Sequence, residues 1–243
     1  MSDPANTKPL SGRVALITGA SRGIGRAVSL ALSDAGAHVV IAARRPSALE
    51  DLDDEIQDRG GSSTLVQLDL REFDKVDAIG PSLYQRWGKL DILVGNAGIL
   101  GPLSPLNHIT EAAWQEVMDI NVTANWHLIR SCDPLLRAAD AGRAIFVSSR
   151  AADAHKAYWG PYATSKAALE ALVKTYAREL ANSNVRANLV RPGPIATDMR
   201  SQAFPGEDPA SINQPADIAP LFLKLAATEI TANGETFTYE DAN

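Results

Sequence analysis

A tyrosine and a lysine four residues apart could carry out acid–base chemistry. Tyr162 and Lys166 form the pattern Y-x-x-x-K at the start of a helical stretch, and this spacing puts both side chains on one face of a helix. A lysine ammonium beside a phenol favours the phenolate, so we expect Lys166 to lower the tyrosine pKa from its reference value of about 10. A tyrosine tuned in this way could give or take a proton near neutral pH.

Two further polar residues could complete this acid–base group. Ser149 follows the apolar run AIFVS at 144–148, and ligands bind at the carboxyl ends of strands in open α/β sheets. Its hydroxyl could donate a hydrogen bond to a substrate oxygen. Asn121 is a polar residue in an apolar helical run, where it could hold a water against Lys166 or be a hydrogen-bonded core amide.

A glycine-rich turn follows the first apolar run. The sequence TGASRGIG at 18–25 spaces its glycines as G-x-x-x-G-x-G, a variant of the G-x-G-x-x-G dinucleotide pattern. Such a strand-to-helix turn lets the backbone approach a pyrophosphate, whose charge then faces the helix N-terminus. The alternative is a glycine-rich turn without a ligand.

The end of the second apolar run indicates which dinucleotide is preferred. A site that prefers NAD commonly places an acidic residue here to bind the ribose 2′-hydroxyl, whereas this chain has Ala43 followed by Arg44 and Arg45. Arg44 could bind a 2′-phosphate, with Arg22 facing it from the glycine turn, because guanidinium groups suit phosphate. We therefore expect NADP(H) to be preferred, with NAD(H) possible; two solvated surface arginines are the alternative.

Alternating apolar runs and helical patterns predict a single doubly wound parallel sheet with helices on both faces. We expect a flexible leader over 1–11 and one Rossmann-type domain over 12–243. The predicted strands cover 13–18, 38–43, 64–68, 91–95, 144–148, 186–190 and 235–239, and the predicted helices cover 25–35, 48–59, 73–87, 111–136 (with a possible break), 162–181 and 215–227.

Taken together, these motifs resemble those of the short-chain dehydrogenase/reductase family. They occur in the family's order: TGASRGIG at 18–25, NAG at 96–98, Asn121, Ser149, YATSK at 162–166 and PG followed by Thr197. In length the chain is also similar to bacterial 3-oxoacyl-carrier-protein reductases, a similarity that does not identify a substrate.

The resemblance implies roles for individual residues in an oxidoreductase that interconverts a ketone or aldehyde with an alcohol. Tyr162 would be the acid/base, Lys166 would hold the nicotinamide ribose, Ser149 would orient the carbonyl and Asn121 would anchor a proton-relaying water. Asp69 would accept from the adenine amino group. The expected cofactor contacts are Gly19, Ser21, Arg22, Gly23, Ile24, Gly25, Arg44, Asp69, Leu70, Asn96, Ala97, Gly98, Tyr162, Lys166, Pro192, Gly193, Ile195 and Thr197.

Two positions depart from the family's pattern. Gly95 stands where an asparagine is more usual, and we expect little effect from it. The segment between Thr197 and Pro215 is shorter than the helical lid of many relatives, so the sequence leaves its closure over the substrate open. The stretches 100–103, 150–159 and 199–204 should line the substrate side, and their aromatic residues favour an apolar or ring-bearing carbonyl, although Arg150 could attract an acidic group.

Other functions are less consistent with the residues. A non-catalytic dinucleotide-binding redox sensor or interaction module would not need the intact set of Ser149, Tyr162 and Lys166. Nucleotide-sugar epimerases of the wider group usually carry an additional substrate domain. We expect no metal site, because four histidines and one cysteine form no ligand cluster in the sequence.

Composition limits the possible partners and location. A net charge of −6 argues against nucleic-acid binding, which usually requires a basic face. No run reaches the ~18 apolar residues of a membrane span, and a single cysteine excludes an internal disulfide and suits a reducing, cytoplasmic location. We expect a small-molecule substrate and a homodimer or homotetramer, although the apolar stripes on helices 111–136 and 162–181 could instead pack on the sheet.

Overall fold

The apolar runs of the sequence form buried parallel strands in a computed structural model, which describes residues 8–242. The strands are β1 (Val14–Thr18), β2 (His38–Ala43), β3 (Ser62–Gln67), β4 (Ile92–Gly95), β5 (Arg143–Val147), β6 (Arg186–Arg191) and β7 (Thr236–Thr238). They form one sheet in the order β3-β2-β1-β4-β5-β6-β7, and every neighbouring pair is parallel. The predicted doubly wound α/β fold is confirmed.

Helices connect these strands and cover both faces of the sheet. The α-helices are α1 (Gly23–Asp34), α2 (Pro46–Asp58), α3 (Phe73–Trp87), α4 (Glu111–Met118), α5 (Ala124–Ala138), α6 (Ala151–Ala154), α7 (Gly160–Glu179), α8 (Asp198–Ala203) and α9 (Ala219–Ala226). Short 3₁₀ turns cover Leu106–His108, Pro209–Ser211, Pro215–Ile218 and Tyr239–Ala242. The long helix predicted over 111–136 is interrupted by a π-helical turn at Asp119–Thr123, and the short helices α6 and α8 were not predicted.

The apolar stripes of the long helices pack on the sheet. Leu128 and Cys132 of α5 and Leu169 and Val173 of α7 are fully buried in one hydrophobic core, and a second core lies on the opposite face. Cys132 is thus a packing residue, and burial raises the pKa of its thiol to about 12.

The start of the described chain is packed against the domain. Residues 8–11 form a turn, Leu10 is buried, and its amide donates to the Ala35 carbonyl at 2.8 Å. The rest of the predicted leader, residues 1–7, lies outside the described residues, as does residue 243.

The order of the strands places a ligand cleft between β1 and β4. From β1 the chain crosses to β2 and β3 on one side, and from β4 it continues to β5, β6 and β7 on the other. Consecutive connections therefore diverge at the carboxyl ends of β1 and β4, which is where doubly wound sheets bind their ligands.

A buried arginine lies at the opposite end of the sheet, where the strands begin. Arg143 begins β5 and is 3% exposed. Its guanidinium donates to the carbonyls of Ala227 at 2.9 Å, Thr228 at 2.6 Å and Gly142 at 2.7 Å. Burial lowers the pKa of Arg143 to about 10. One side chain thus joins the start of β5 to the carbonyls that directly follow α9.

Replacing this arginine should destabilise the fold without touching the cleft. We expect Arg143→Met to lower the free energy of unfolding by about 2 to 3 kcal/mol, because the part-buried hydrogen bonds to the Ala227 and Thr228 carbonyls are lost. Urea denaturation followed by circular dichroism measures the change. Arg178→Met, at an exposed position of α7, is the control and should change stability by less than about 0.5 kcal/mol. Equal stability of the two variants would contradict this role for Arg143.

Candidate active site

The glycine-rich turn between β1 and α1 is shaped by close backbone contacts. Gly19 and Gly23 have positive φ angles of 65° and 55°, a region that favours glycine. A Cβ atom at Gly25 would lie only 2.3 Å from the Gly19 carbonyl oxygen and 2.5 Å from the Asn96 side-chain nitrogen. Among the described residues, no side chain caps the N-terminus of α1. The turn therefore leaves backbone amides facing the cleft, where an anion can bind.

Asn96 and Thr18 join the carboxyl ends of β4 and β1. The Asn96 side-chain nitrogen donates to the Thr18 carbonyl at 2.9 Å and to the Gly19 carbonyl at 3.3 Å. In return, the Thr18 hydroxyl oxygen accepts from the backbone amides of Asn96 at 3.1 Å and Ala97 at 3.2 Å. These bonds fix the floor of the cleft and the position of the glycine turn.

A cleft of about 420 Å³ opens above this junction. Of the cofactor contacts expected from the sequence, all except Ser21 and Gly25 line it. Lining residues that were not predicted include Ala42, Leu68, Ile120, Val147, Asp198 and Pro215. Most of these are strand ends or come from distant segments, so no local motif marks them.

Ser149, Tyr162 and Lys166 meet at the other side of the cleft. Tyr162 lies in the first turn of α7 and is 8% exposed, and Lys166 is 3% exposed. The lysine nitrogen lies 5.7 Å from the centroid of the Tyr162 ring and donates to the Val147 carbonyl at 2.8 Å. Ser149 follows β5, and its hydroxyl oxygen accepts from the Ala151 amide at 3.1 Å.

Burial dominates the ionisation of this group. It raises the pKa of Tyr162, and a hydrogen bond with Ser149 opposes the rise. Burial also lowers the pKa of Lys166 to about 8, while the negative charge of Glu170 raises it. The expected lowering of the tyrosine pKa is therefore wrong for this structure, because removal of the phenolate from water outweighs the hydrogen bond with Ser149.

Asn121 lies in the π-helical turn and is fully buried. Its amide nitrogen donates to the Ile99 carbonyl and to the Ser165 hydroxyl, both at 2.9 Å, and its amide oxygen accepts from the Ile99 amide at 2.8 Å. The side chain is thus a hydrogen-bonded core amide, and its role in holding a water against Lys166 stays a prediction. It ties the π turn to α7 and to the loop after β4, which carries Gly98 beside Lys166.

The opposite end of the cleft carries charged side chains. Both carboxylate oxygens of Asp69 accept from the Arg71 guanidinium, at 3.1 and 2.7 Å. These hydrogen bonds lower the pKa of Asp69 to about 2, with a smaller contribution from the charge of Arg44. Arg22 of the glycine turn forms an ion pair with Asp198 at the start of α8. Sequence reasoning identified Asp69, Arg22 and Arg44 but missed Arg71 and Asp198.

Aromatic and apolar side chains line the part of the cleft near Tyr162. The Trp159 ring centroid lies 6.0 Å from that of Tyr162 and 5.8 Å from that of Phe204. Arg200 packs over Phe204 and binds Glu207 with two 2.6 Å hydrogen bonds. Asp198, Arg200 and Phe204 of the segment after Thr197 thus line the cleft, and closure of this segment over a substrate stays an open question. Leu100, Met199 and Ala203 complete this wall.

Several residues proposed for the substrate side do not line the cleft. Arg150, His155 and Tyr158 are exposed and lie outside it. The departure at Gly95 has a packing cause: a Cβ atom there would lie 2.4 Å from the Phe146 ring and 2.6 Å from the Asn125 side-chain oxygen. These two side chains fill the space that an asparagine side chain would need.

Metal-ligand clusters and membrane-spanning helices were sought among the described residues. Within residues 8–242, no three histidine, cysteine, aspartate or glutamate side chains group as potential metal ligands. No helix of this part of the chain has the length and apolar character needed to cross a membrane.

Comparison with known proteins agrees with the family resemblance of the sequence motifs. Residues 13–208 match the model of the short chain dehydrogenase family. The chain is 35% identical over 219 residues to an uncharacterized oxidoreductase of Escherichia coli (strain K12), YciK, covering 89% of this chain and 86% of that protein. It is 34% identical over 241 residues to a 3-oxoacyl-[acyl-carrier-protein] reductase of Synechocystis sp., covering 95% and 96% of the two chains.

A solved structure shows the same architecture. It is described as a short chain dehydrogenase from Shigella flexneri 2a complexed with NADP, and it superposes with a TM-score of 0.92 at 34% identity. The superposition covers 97% of this chain and 100% of that one.

The close contacts at Gly25 provide a test of whether the glycine turn shapes the NADPH-binding site. We expect Gly25→Ala to weaken binding of NADPH at least about tenfold, or 1.4 kcal/mol, because the added methyl group must displace Gly19 or Asn96. Fluorescence titration with NADPH measures the affinity. Gly206→Ala is a matched control, since nothing lies within 4 Å of a Cβ atom there. Unchanged affinity in Gly25→Ala would show that the turn does not shape the binding site.

Proposed function

The chain belongs to the short chain dehydrogenase family of oxidoreductases, and on that premise we propose that it interconverts a ketone or aldehyde with an alcohol, using NADP(H). The observation that carries this proposal is the meeting of Ser149, Tyr162 and Lys166 in one cleft with the glycine turn. The same set argues against the alternative of a non-catalytic redox sensor.

The residues of the cleft fit a dinucleotide. The Cβ-free positions at Gly19, Gly23 and Gly25 let the backbone approach a pyrophosphate, and Asp69, Asn96 and the Pro192–Gly193 turn line the remaining length. When bound, the nicotinamide supplies or accepts the hydride. The protein's contribution is to position the carbonyl and to move the proton.

Tyr162 is the proposed proton donor and acceptor. Because burial raises its pKa, the phenol stays protonated through the neutral range and can protonate a carbonyl oxygen during reduction. Alcohol oxidation requires the phenolate, so raising the pH should favour oxidation and lowering it should favour reduction. Ser149 would donate a second hydrogen bond to the same oxygen, and the buried Lys166 would keep a positive charge beside the phenol.

The lining near Tyr162 supports an apolar, ring-bearing carbonyl as substrate. Trp159 and Phe204 form a continuous aromatic wall, and aromatic faces pack well against flat rings. Arg200 is held by Glu207, which leaves its charge already paired rather than offered to an acidic substrate. The carbonyl would therefore be bound by Ser149 and Tyr162, with its ring against this wall.

The acid/base role is tested by removing one oxygen atom. We expect Tyr162→Phe to lower kcat about 100- to 10,000-fold while NADPH binding stays nearly unchanged, because the ring that lines the cleft is retained. NADPH oxidation is followed by absorbance on a panel of cyclic, aryl and open-chain ketones, aldehydes and quinones.

Tyr158→Phe is the matched control, since Tyr158 is 61% exposed and lies outside the cleft. Normal activity of Tyr162→Phe would exclude the proposed acid. Tight NADPH binding by the unmodified protein without turnover of any panel member would instead favour the redox-sensor alternative.

The preference for NADP(H) rests on Arg44. This residue lines the cleft at the end of β2, beside the neutral Ala43, and its guanidinium suits a 2′-phosphate. We expect Arg44→Ala to weaken NADPH binding about 10- to 100-fold, the effect of losing one charge-assisted hydrogen bond of about 1.5–3 kcal/mol, with little change for NADH. Isothermal titration calorimetry measures both. The adjacent Arg45→Ala is the control, and an unchanged ratio of NADPH to NADH affinity in Arg44→Ala would contradict the assignment.

A further inference from the structure

An ion pair between the buried Glu170 and the partly buried Arg191 lies beneath the proposed catalytic residues. Glu170 is on α7, one helical turn after Lys166, and its residue is 6% exposed. Arg191 donates from two nitrogens to the two carboxylate oxygens of Glu170, at 2.7 and 2.8 Å. This parallel, two-bond geometry is the strongest arrangement available to an arginine and a carboxylate.

The same carboxylate binds the end of β5. The Ser148 hydroxyl donates to Glu170 at 2.7 Å, and Ser148 directly precedes Ser149. Arg191, the last residue of β6, directly precedes the Pro192–Gly193 turn that lines the cleft. Arg191 also donates to Asp153 at 2.7 Å. Glu170 therefore links α7, β5 and β6 at the points where each delivers a residue to the cleft.

Stability alone does not explain why the fold has an ion pair at this position. Removing two charges from water costs several kcal/mol per ion in practice, and apolar residues of similar volume often stabilise a fold equally well. An apolar pair, however, could not bind the Ser148 hydroxyl, and it would not fix the direction of three chain segments at once.

We propose that Glu170 and Arg191 are positioning residues that hold Ser149, Lys166 and the Pro192–Gly193 turn in one reactive arrangement. This inference rests on the proposed function for its kinetic readout. Neither Glu170 nor Arg191 lines the cleft, so both act through their neighbours.

Glu170 also sets the charge environment of Lys166. The other groups around the lysine nitrogen are uncharged: the Val147 carbonyl from β5, the Tyr162 ring from α7 and Gly98 from the loop after β4. Arg191, Lys174 and Asp153 surround Glu170 rather than Lys166. Loss of the Glu170 charge should therefore lower the pKa of Lys166 further.

The decisive variant is Glu170→Gln, which keeps the side-chain shape and removes the charge. We expect kcat to fall about 10- to 100-fold, the cost of a small misplacement of catalytic groups. The dissociation constant of NADPH should rise by less than about tenfold, because the pair holds Lys166 and the Pro192–Gly193 turn in one half of the cleft and leaves the glycine turn and Arg44 untouched. Glu179→Gln, at an exposed position on the same helix, is the control.

Arg191→Lys tests the pair a second way and keeps the result interpretable if Glu170→Gln fails to fold. Lysine retains the charge but not the two-bond fork, so kcat should fall less than in Glu170→Gln yet remain below the control. Wild-type kcat in either folded variant would overturn the proposal.

A measurement that does not depend on turnover distinguishes failure of the positioning proposal from failure of the proposed function. Carbon-13 NMR of labelled lysine side chains follows the titration of Lys166, which should move to lower pH in Glu170→Gln and stay unchanged in Glu179→Gln. An unmoved titration would overturn the positioning role. Absence of turnover in the unmodified protein, with a moved titration, would count against the proposed function alone.

Discussion

The hydrogen bonds between Asn96 and Thr18 join the two strand ends on which the whole site depends. They connect β4 to β1 at the point where consecutive connections leave the sheet in opposite directions. Because the Asn96 side chain and the Gly19 carbonyl leave no room for a Cβ atom at Gly25, the glycine turn, α1 and β4 can pack in only one arrangement. The cleft above them is a consequence of that close contact.

Burial and charge then divide the cleft into two environments. At one end Arg44, Arg22 and the Asp69–Arg71 pair are partly exposed, which suits the binding of a charged nucleotide. At the other end burial disfavours the ionised forms of both Tyr162 and Lys166. Glu170 opposes this effect at Lys166, because its negative charge favours the protonated amine. The aromatic rings of Trp159 and Phe204 lie at the same end of the cleft.

Local sequence patterns were sufficient for the fold and for the motif-bearing residues. Buried parallel strands read as short apolar runs, and β2 and α3 begin and end at the predicted residues. Features set by contacts between distant segments could not be predicted. The π turn around Asn121 depends on bonds to Ile99 and Ser165, and the packing at Gly95 depends on Phe146. The raised pKa of Tyr162 depends on its burial in the folded domain. Helix α8 begins at Asp198, which pairs with Arg22, and is followed by Phe204, which packs against Trp159, so both of its ends contact distant parts of the chain.

Hydride transfer to a carbonyl carbon is the central claim, and isotope tracing tests it most directly. The purified protein would be incubated with a cyclic ketone and with NADPH carrying deuterium at one or the other C4 position, and the alcohol analysed by mass spectrometry and NMR. The account predicts that deuterium from one of the two labelled forms appears at the carbinol carbon, without exchange with water. Alcohol that contains no deuterium from either form, or deuterium that washes out into solvent, would contradict direct transfer in this cleft.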